Sequence, residues 1–218
     1  MTLPMLSLLQ ARVIGVLVEK QLTVPDAYPL TLNALVSGCN QKSSRDPVIE
    51  ASEDEVQSAI DQLKGLSLVV ESSGGRVMRY AHNAQRVLEI PAQAVAILAV
   101  LMLRGPQTAG ELRIHTDRLH RFSDISAVEG FLNELAARAS GALVMELPRQ
   151  PGARETRWTH LLSGAPELSA ITEAAPAPER VAVGEIAALR ATVEDLRSQV
   201  AAMRADVDRL LSELGIAR

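Results

Sequence analysis

The residues able to do chemistry are few and poorly spaced for it. His115 and His120 stand five positions apart, whereas two imidazoles share one helical face as a zinc pair at a spacing of four. The single cysteine, Cys39, follows a short apolar run, where a free thiol acts as a small hydrophobe rather than a nucleophile. No Walker-type glycine loop, G-x-S-x-G elbow or H-E-x-x-H helix occurs. Gly74-Gly75 separates two β-prone runs and reads as a hairpin turn, not a phosphate cradle. Glu53, Asp54 and Glu55 suit the positive end of a helix. The expectation is a non-enzymatic protein with no catalytic residue, no metal and no cofactor.

What remains is cationic charge, gathered in three places. Lys42 and Arg45 lie in one polar loop; Arg113, Arg118 and Arg121 lie in a second segment; Arg149, Arg154 and Arg157, with His160, lie in a third. Clusters of this kind suit nucleic-acid phosphates. A solvated hairpin tip is the plainer reading of the third.

The elements that must position these side chains follow from periodicity. A helix over 7–21 carries Val13, Ile14 and Leu17 at helical spacing, with Arg12, Glu19 and Lys20 expected to face water. Tyr28-Pro29 excludes helix at Tyr28, and a short second helix over 31–38 follows. Ser52, Glu53, Asp54 and Glu55 form a capping box opening a third helix whose apolar face is Val56, Ala59, Ile60, Leu63 and Leu66. Two β-prone runs, 68–71 and 76–80, then flank the glycine turn. The order repeats. Pro91 starts a helix and Gly105-Pro106 ends it; Thr108 to Glu111 is a second capping box opening a short helix; Asp124 or Ser126 caps the next; runs 143–147 and 156–160 make a second hairpin with its tip over 148–154.

Helix, helix, helix, hairpin is the order of a winged-helix domain, and it appears twice with little residue identity. The expected fold is mostly α with small β-hairpins (α+β). It comprises winged-helix domain 1 over residues 1–88 and winged-helix domain 2 over 89–164, then an Ala- and Pro-rich linker over 165–179 and a C-terminal coiled-coil helix over 180–215. In that last helix Ile186, Val193, Val200 and Val207 alternate with Leu189, Leu196, Met203 and Leu210 by threes and fours. β-branched residues at a and mostly Leu at d favour a parallel two-stranded coil, hence a homodimer.

Composition narrows the partners. The 218 residues carry a net charge of −4 and only one Trp, two Tyr and two Phe, which argues against base-stacking platforms for single strands. The absence of a basic leader or a long apolar run predicts a soluble cytoplasmic protein without a membrane partner. A winged helix invites duplex DNA, yet the first third-helix offers Glu53, Asp54, Gln57, Ser58, Asp61 and Gln62, and the second offers Glu129, Asn133 and Glu134. Carboxylates oppose phosphates. The leading expectation is a DNA-associated regulator gripping phosphates through the second wing. The alternative is a dimeric protein–protein adaptor using the acidic third helices. A continuous basic stripe would favour DNA; arginines paired with Glu111, Asp117 or Glu155 would favour the adaptor.

The segments over 28–34, 39–48, 103–112 and 148–164 carry the runs YPLTLNA, CNQKSSRDPV, LRGPQTAGEL and HLLSG. By these the chain resembles the YceH family of bacterial proteins from about residue 11 to 164. The resemblance implies two winged-helix domains in tandem and no activity, since that family has no assigned catalytic or binding residues. One departure stands out: after Gly110-Glu111-Leu112-Arg113, where relatives continue with basic and hydroxyl residues, this chain has Ile114-His115.

Overall fold

The computed structural model describes residues 5–73 and 77–166. The heptad helix expected over 180–215, the linker beyond Pro166 and the Gly74-Gly75 turn lie outside the described residues. The elements are α1 (Leu8–Thr23), a 3-10 turn (Pro25–Ala27), α2 (Leu32–Cys39), α3 (Glu53–Gly65), β1 (Val69–Ser72), β2 (Arg79–His82), α4 (Ala84–Leu88), α5 (Ala92–Arg104), α6 (Ala109–His115), α7 (Ile125–Ala136), β3 (Val144–Glu146) and β4 (Trp158–His160). The fold is thus mixed, mainly helical, with two small antiparallel hairpins. The sequence did not announce α4, which has no side-chain cap and ends with Glu89 in the left-handed region.

Local side-chain chemistry starts most of the helices. Ser52 accepts from the Glu55 amide and Glu55 returns to Ser52; Thr108 and Glu111 do the same for α6, and Ser7 and Gln10 for α1. Asp124, not Ser126, caps α7. Gly105 at φ 70° closes α5, a backbone conformation glycine adopts without a Cβ penalty.

The two repeats share one compact unit, and α1 is its axis. Ala11 through Val18 are all buried, as is the run Ala94 to Leu103 of α5. Helices apolar all round are enclosed on every side. Here α1 packs against α2, α3 and α5. Two glycines allow the close approach. A Cβ on Gly15 would stand 2.8 Å from Leu103 Cγ, and one on Gly38 would stand 2.6 Å from Val16 Cγ1. The expectation that Arg12 faces water is corrected: Arg12 is fully buried, turned toward the Cys39 and Pro47 carbonyls at and beyond the end of α2.

Each hairpin is joined through a single-residue β-bridge by the segment before the repeat's short helix. Leu30 and Tyr80 exchange backbone bonds of 3.0 and 2.8 Å, and Gln107 and Trp158 exchange bonds of 3.0 and 2.7 Å. In β1–β2, Val69 pairs with His82 and Ser72 with Arg79; in β3–β4, Val144 pairs with His160 and Glu146 with Trp158. The equivalence extends to side chains. Arg79 donates to the Pro29 carbonyl at 2.8 Å and Arg157 to the Pro106 carbonyl at 2.9 Å.

Candidate interaction surface

The loop after α2 is a clamp rather than a phosphate grip. Arg45 is buried, 6% exposed. Its Nε donates to Gly38 O at 3.1 Å, its Nη1 to Ser44 O at 2.9 Å, and its two terminal nitrogens to both Glu19 oxygens at 3.2 and 2.7 Å. Arg12 donates to Cys39 O at 3.1 Å and Pro47 O at 2.6 Å. Two guanidiniums thus meet the last carbonyls of α2, which have no intrahelical donor and which favour cations. Arg104 reaches Ser44 Oγ at 2.6 Å, and the Asp46 amide donates to Leu103 O at 2.8 Å, tying the loop to α5. Burial would raise the Glu19 carboxyl, but the Arg45 hydrogen bonds and charge, helped by Lys20, hold it below its ordinary value. The expectation that Arg45 meets phosphate is corrected accordingly, because a buried and fully engaged guanidinium presents no charge outward. Only Lys42 of this cluster is exposed and, among the described residues, without a partner.

The second cluster disperses. Arg113 and Arg118 are exposed and unpaired among the described residues, while Arg121 stands 3.8 Å from Asp117, both well exposed. The third splits in two. Arg157 is pinned to Pro106 O and pairs with Glu111 Oε1 at 3.2 Å. Glu111 also holds the Thr108 amide through Oε2 at 2.8 Å, so one carboxylate joins the wing to the start of α6. Arg157 thus holds a structural position while its side chain stays 42% exposed. Arg149 and Arg154 are exposed and, among the described residues, without a partner. They line a cleft of about 420 Å³ between α7 and the wing, together with Glu129, Asn133, Glu146 and Glu155. Carboxylates there outnumber the arginines.

The α3 surface is acidic. Glu53, Asp54, Ser58, Asp61 and Gln62 are exposed. Its amides are engaged: Gln57 accepts from the Tyr80 hydroxyl at 3.2 Å and donates to Asp61 at 3.2 Å, and Gln62 accepts from Gln10 at 2.7 Å. Lys64 is tied to Glu71 and lies 3.6 Å from Asp61. Between the start of α1 and this helix runs a shallow groove of about 350 Å³, lined by Ser7, Leu9, Gln10, Asp54, Ser58 and Ala59 among others. On α7, Glu129, Asn133 and Glu134 are exposed. Arg138 turns inward to Leu88 O at 2.6 Å.

The groups that could do covalent or metal chemistry stand apart. Cys39 is fully buried, and burial pushes its thiol up to about 11. His115 bonds Gln107 at 2.6 Å, and His120 packs edge-on against Phe122 at 4.7 Å. Among the described residues no group of three His, Cys, Asp or Glu is placed to hold a metal ion. No described helix is long and apolar enough to cross a membrane.

Known proteins resemble this chain over nearly its whole length. The UPF0502 protein of Methylibium petroleiphilum is 60% identical over 215 residues, covering 98% of this chain and 92% of that one. Those of Dechloromonas aromatica and Leptothrix cholodnii are 59% and 55% identical, covering 91% and 95% of this chain and 92% and 94% of theirs. The family model described as "Protein of unknown function, DUF480" matches residues 6–153, and with relatives this close the chain belongs to that family.

Proposed function

We propose that this chain is a non-enzymatic, dimeric tandem winged-helix adaptor that docks protein partners on its acidic third-helix surface. In this reading α1–α3 with β1–β2, and α5–α7 with β3–β4, are the two winged helices. One observation carries it: the exposed α3 surface that would meet a duplex is anionic, and three of the arginines expected to meet phosphate lie against carboxylates instead. Arg45 pairs with Glu19, Arg157 with Glu111 and Arg121 with Asp117. Phosphate recognition gains from every free cation and loses with every carboxylate at the surface. A protein-binding surface has no such requirement. The heptad seam read from Ile186 to Leu210 in the sequence supports the dimer. Val200→Lys in that seam halves the mass measured by light scattering if the reading holds.

Arg149 and Arg154, exposed on the second wing and without a partner among the described residues, favour a competing reading in which DNA phosphates are held there. Two measurements decide. Random duplex DNA titrated across a salt series is expected to show no binding, or binding whose salt slope is unchanged in Arg149→Ala/Arg154→Ala. Tight binding with a slope that flattens in that variant replaces the adaptor by the DNA regulator. Quantitative co-purification is expected to show proteins that associate with the wild type and are lost from Asp54→Lys/Asp61→Lys. An unchanged partner set rejects the adaptor.

A further inference from the structure

The groove between α1 and α3 has a composition that selects its ligand. Its floor is apolar, with half-buried Leu9 beside Ala59. The side-chain bond from Gln10 to Gln62, 2.7 Å, ties the two helices across it. Leu8, adjacent in sequence to the groove residues Ser7 and Leu9, is 50% exposed. A single exposed Leu is ordinary, and here it adjoins a groove with an apolar floor.

The rim is anionic. Glu53 and Asp54 are exposed and, among the described residues, have no hydrogen-bond or ion-pair partner. Glu55 is engaged by Ser52 in the capping box. The helix N-terminus beneath supplies about half a unit of positive charge, less than the charge of the two carboxylates. The cation of α3, Lys64, lies in its last turn and is held by Glu71 and Asp61. At about 350 Å³ the groove is at the small end of binding clefts, roughly 300–1,000 Å³. It is also open to solvent along the helix, which suits one inserted side chain of an extended or helical segment better than an enclosed small molecule.

We propose that this groove docks a cationic amphipathic segment of a partner protein. One large apolar side chain of the segment lies between Leu9 and Ala59, and flanking Lys or Arg residues lie against Asp54 and Glu53. This rests on the adaptor reading and specifies its partner by charge complementarity.

The test uses the full chain and a random twelve-residue peptide library displayed on phage. Enriched sequences are expected to combine a Leu, Ile, Met or Phe with at least two nearby Lys or Arg residues. The strongest binder, made as a fluorescent peptide, is expected to lose about ten-fold or more in affinity to Asp54→Lys, and to weaken as salt rises. Ser58→Trp, an exposed position that fills the groove without adding charge, is expected to abolish binding, while Asp26→Lys in the exposed turn after α1 leaves it unchanged. Retained thermal unfolding of each variant shows that it is folded. Acidic or uncharged enriched peptides, or a cationic peptide indifferent to both Asp54→Lys and Ser58→Trp, overturn the proposal. A selected peptide that maps elsewhere removes this groove and leaves the adaptor standing. Only the unchanged partner set of Asp54→Lys/Asp61→Lys removes both.

Discussion

Arg79 and Arg157 occupy the same place in the two repeats. Each precedes the aromatic residue that makes the isolated β-bridge, and each donates to a proline carbonyl just before a threonine N-cap: Pro29 and Thr31 in one, Pro106 and Thr108 in the other. Their role is to hold the hairpin against the start of the short helix. Arg157→Ala and Arg79→Ala are each expected to cost about 1 kcal/mol in urea unfolding, the worth of one hydrogen bond. The Glu111 pair adds little at its exposure. Arg149→Ala and Arg154→Ala are expected to stay within about 0.5 kcal/mol of wild type. Equal, negligible effects at all four positions would remove the structural role of the conserved geometry between repeats.

That correspondence was readable before any coordinates, because Pro-x-Thr recurs before both short helices and Arg-aromatic recurs in both second strands. Comparing the repeats by hydrophobic pattern alone hides it. The capping boxes at Ser52 and Thr108 and the cap at Asp124 were legible because the chemistry is local, acting over three residues. Arg12 was not, since the carbonyls that hold it, at Cys39 and Pro47, lie 27 and 35 residues further along the chain. Arg45 sits in a run of polar residues and reads as solvated. Only the unmatched carbonyls at the end of α2 and the Glu19 carboxylate reveal its direction. The short α4 offered no side-chain cap to betray it. The acidity of the α3 surface, by contrast, could be counted from the sequence, but the engagement of its glutamines could not.

Breaking the Arg45–Glu19 pair leaves one buried charge and at least one carbonyl of α2 without a donor. Arg45→Ala is expected to cost about 3–5 kcal/mol, against less than about 0.5 kcal/mol for Lys42→Ala in the same loop. The pair also carries a pH signature. The Glu19 carboxyl titrates below its ordinary value of 4.5 when folded. Its stabilisation is therefore complete above that value and lost as pH falls through the folded one. Glu19→Gln is expected to unfold more easily at pH 7 and to show a shallower loss of stability below pH 4.5. An identical acid limb in the two proteins would mean that the carboxylate gains nothing from Arg45.

His82 and His160 give a second titration. Burial pushes both imidazoles down to about 4. His82 Nδ1 accepts from the Ala84 amide at 3.4 Å while Nε2 faces Gln21 Oε1 at 2.5 Å, a fit for the neutral ring protonated on Nε2. A folded value below the ordinary 6.5 means that these rings stabilise the fold above 6.5, and that the contribution is lost as pH falls toward 4. Two-dimensional NMR of the imidazole nitrogens is expected to show no movement for either residue between pH 8 and about 5.5. A midpoint near 6.5 at either one would show that the ring is solvated, contrary to the packing.

The union of the two repeats rests on Gly15. Glycine inside a helix costs about 0.5–1 kcal/mol relative to alanine, so its presence in the middle of α1 calls for a packing reason, and Leu103 supplies it. A Cβ there would lie 2.8 Å from Leu103 Cγ and 2.9 Å from its Cδ2. Leu103 closes the buried run Ala94 to Leu103 of α5 and is itself 3% exposed. Gly15→Ala is expected to destabilise by about 1–3 kcal/mol through overpacking, despite the gain in helix propensity. Leu103→Ala alone is expected to cost about 2–5 kcal/mol by leaving a cavity. Combined, the two changes are expected to cost less than their sum, since the methyl group at position 15 moves into the space that Leu103 vacates. Urea unfolding of the four proteins gives the coupling directly. Strict additivity would mean that α1 and α5 adjust independently, so that the close approach at Gly15 is not what joins the repeats.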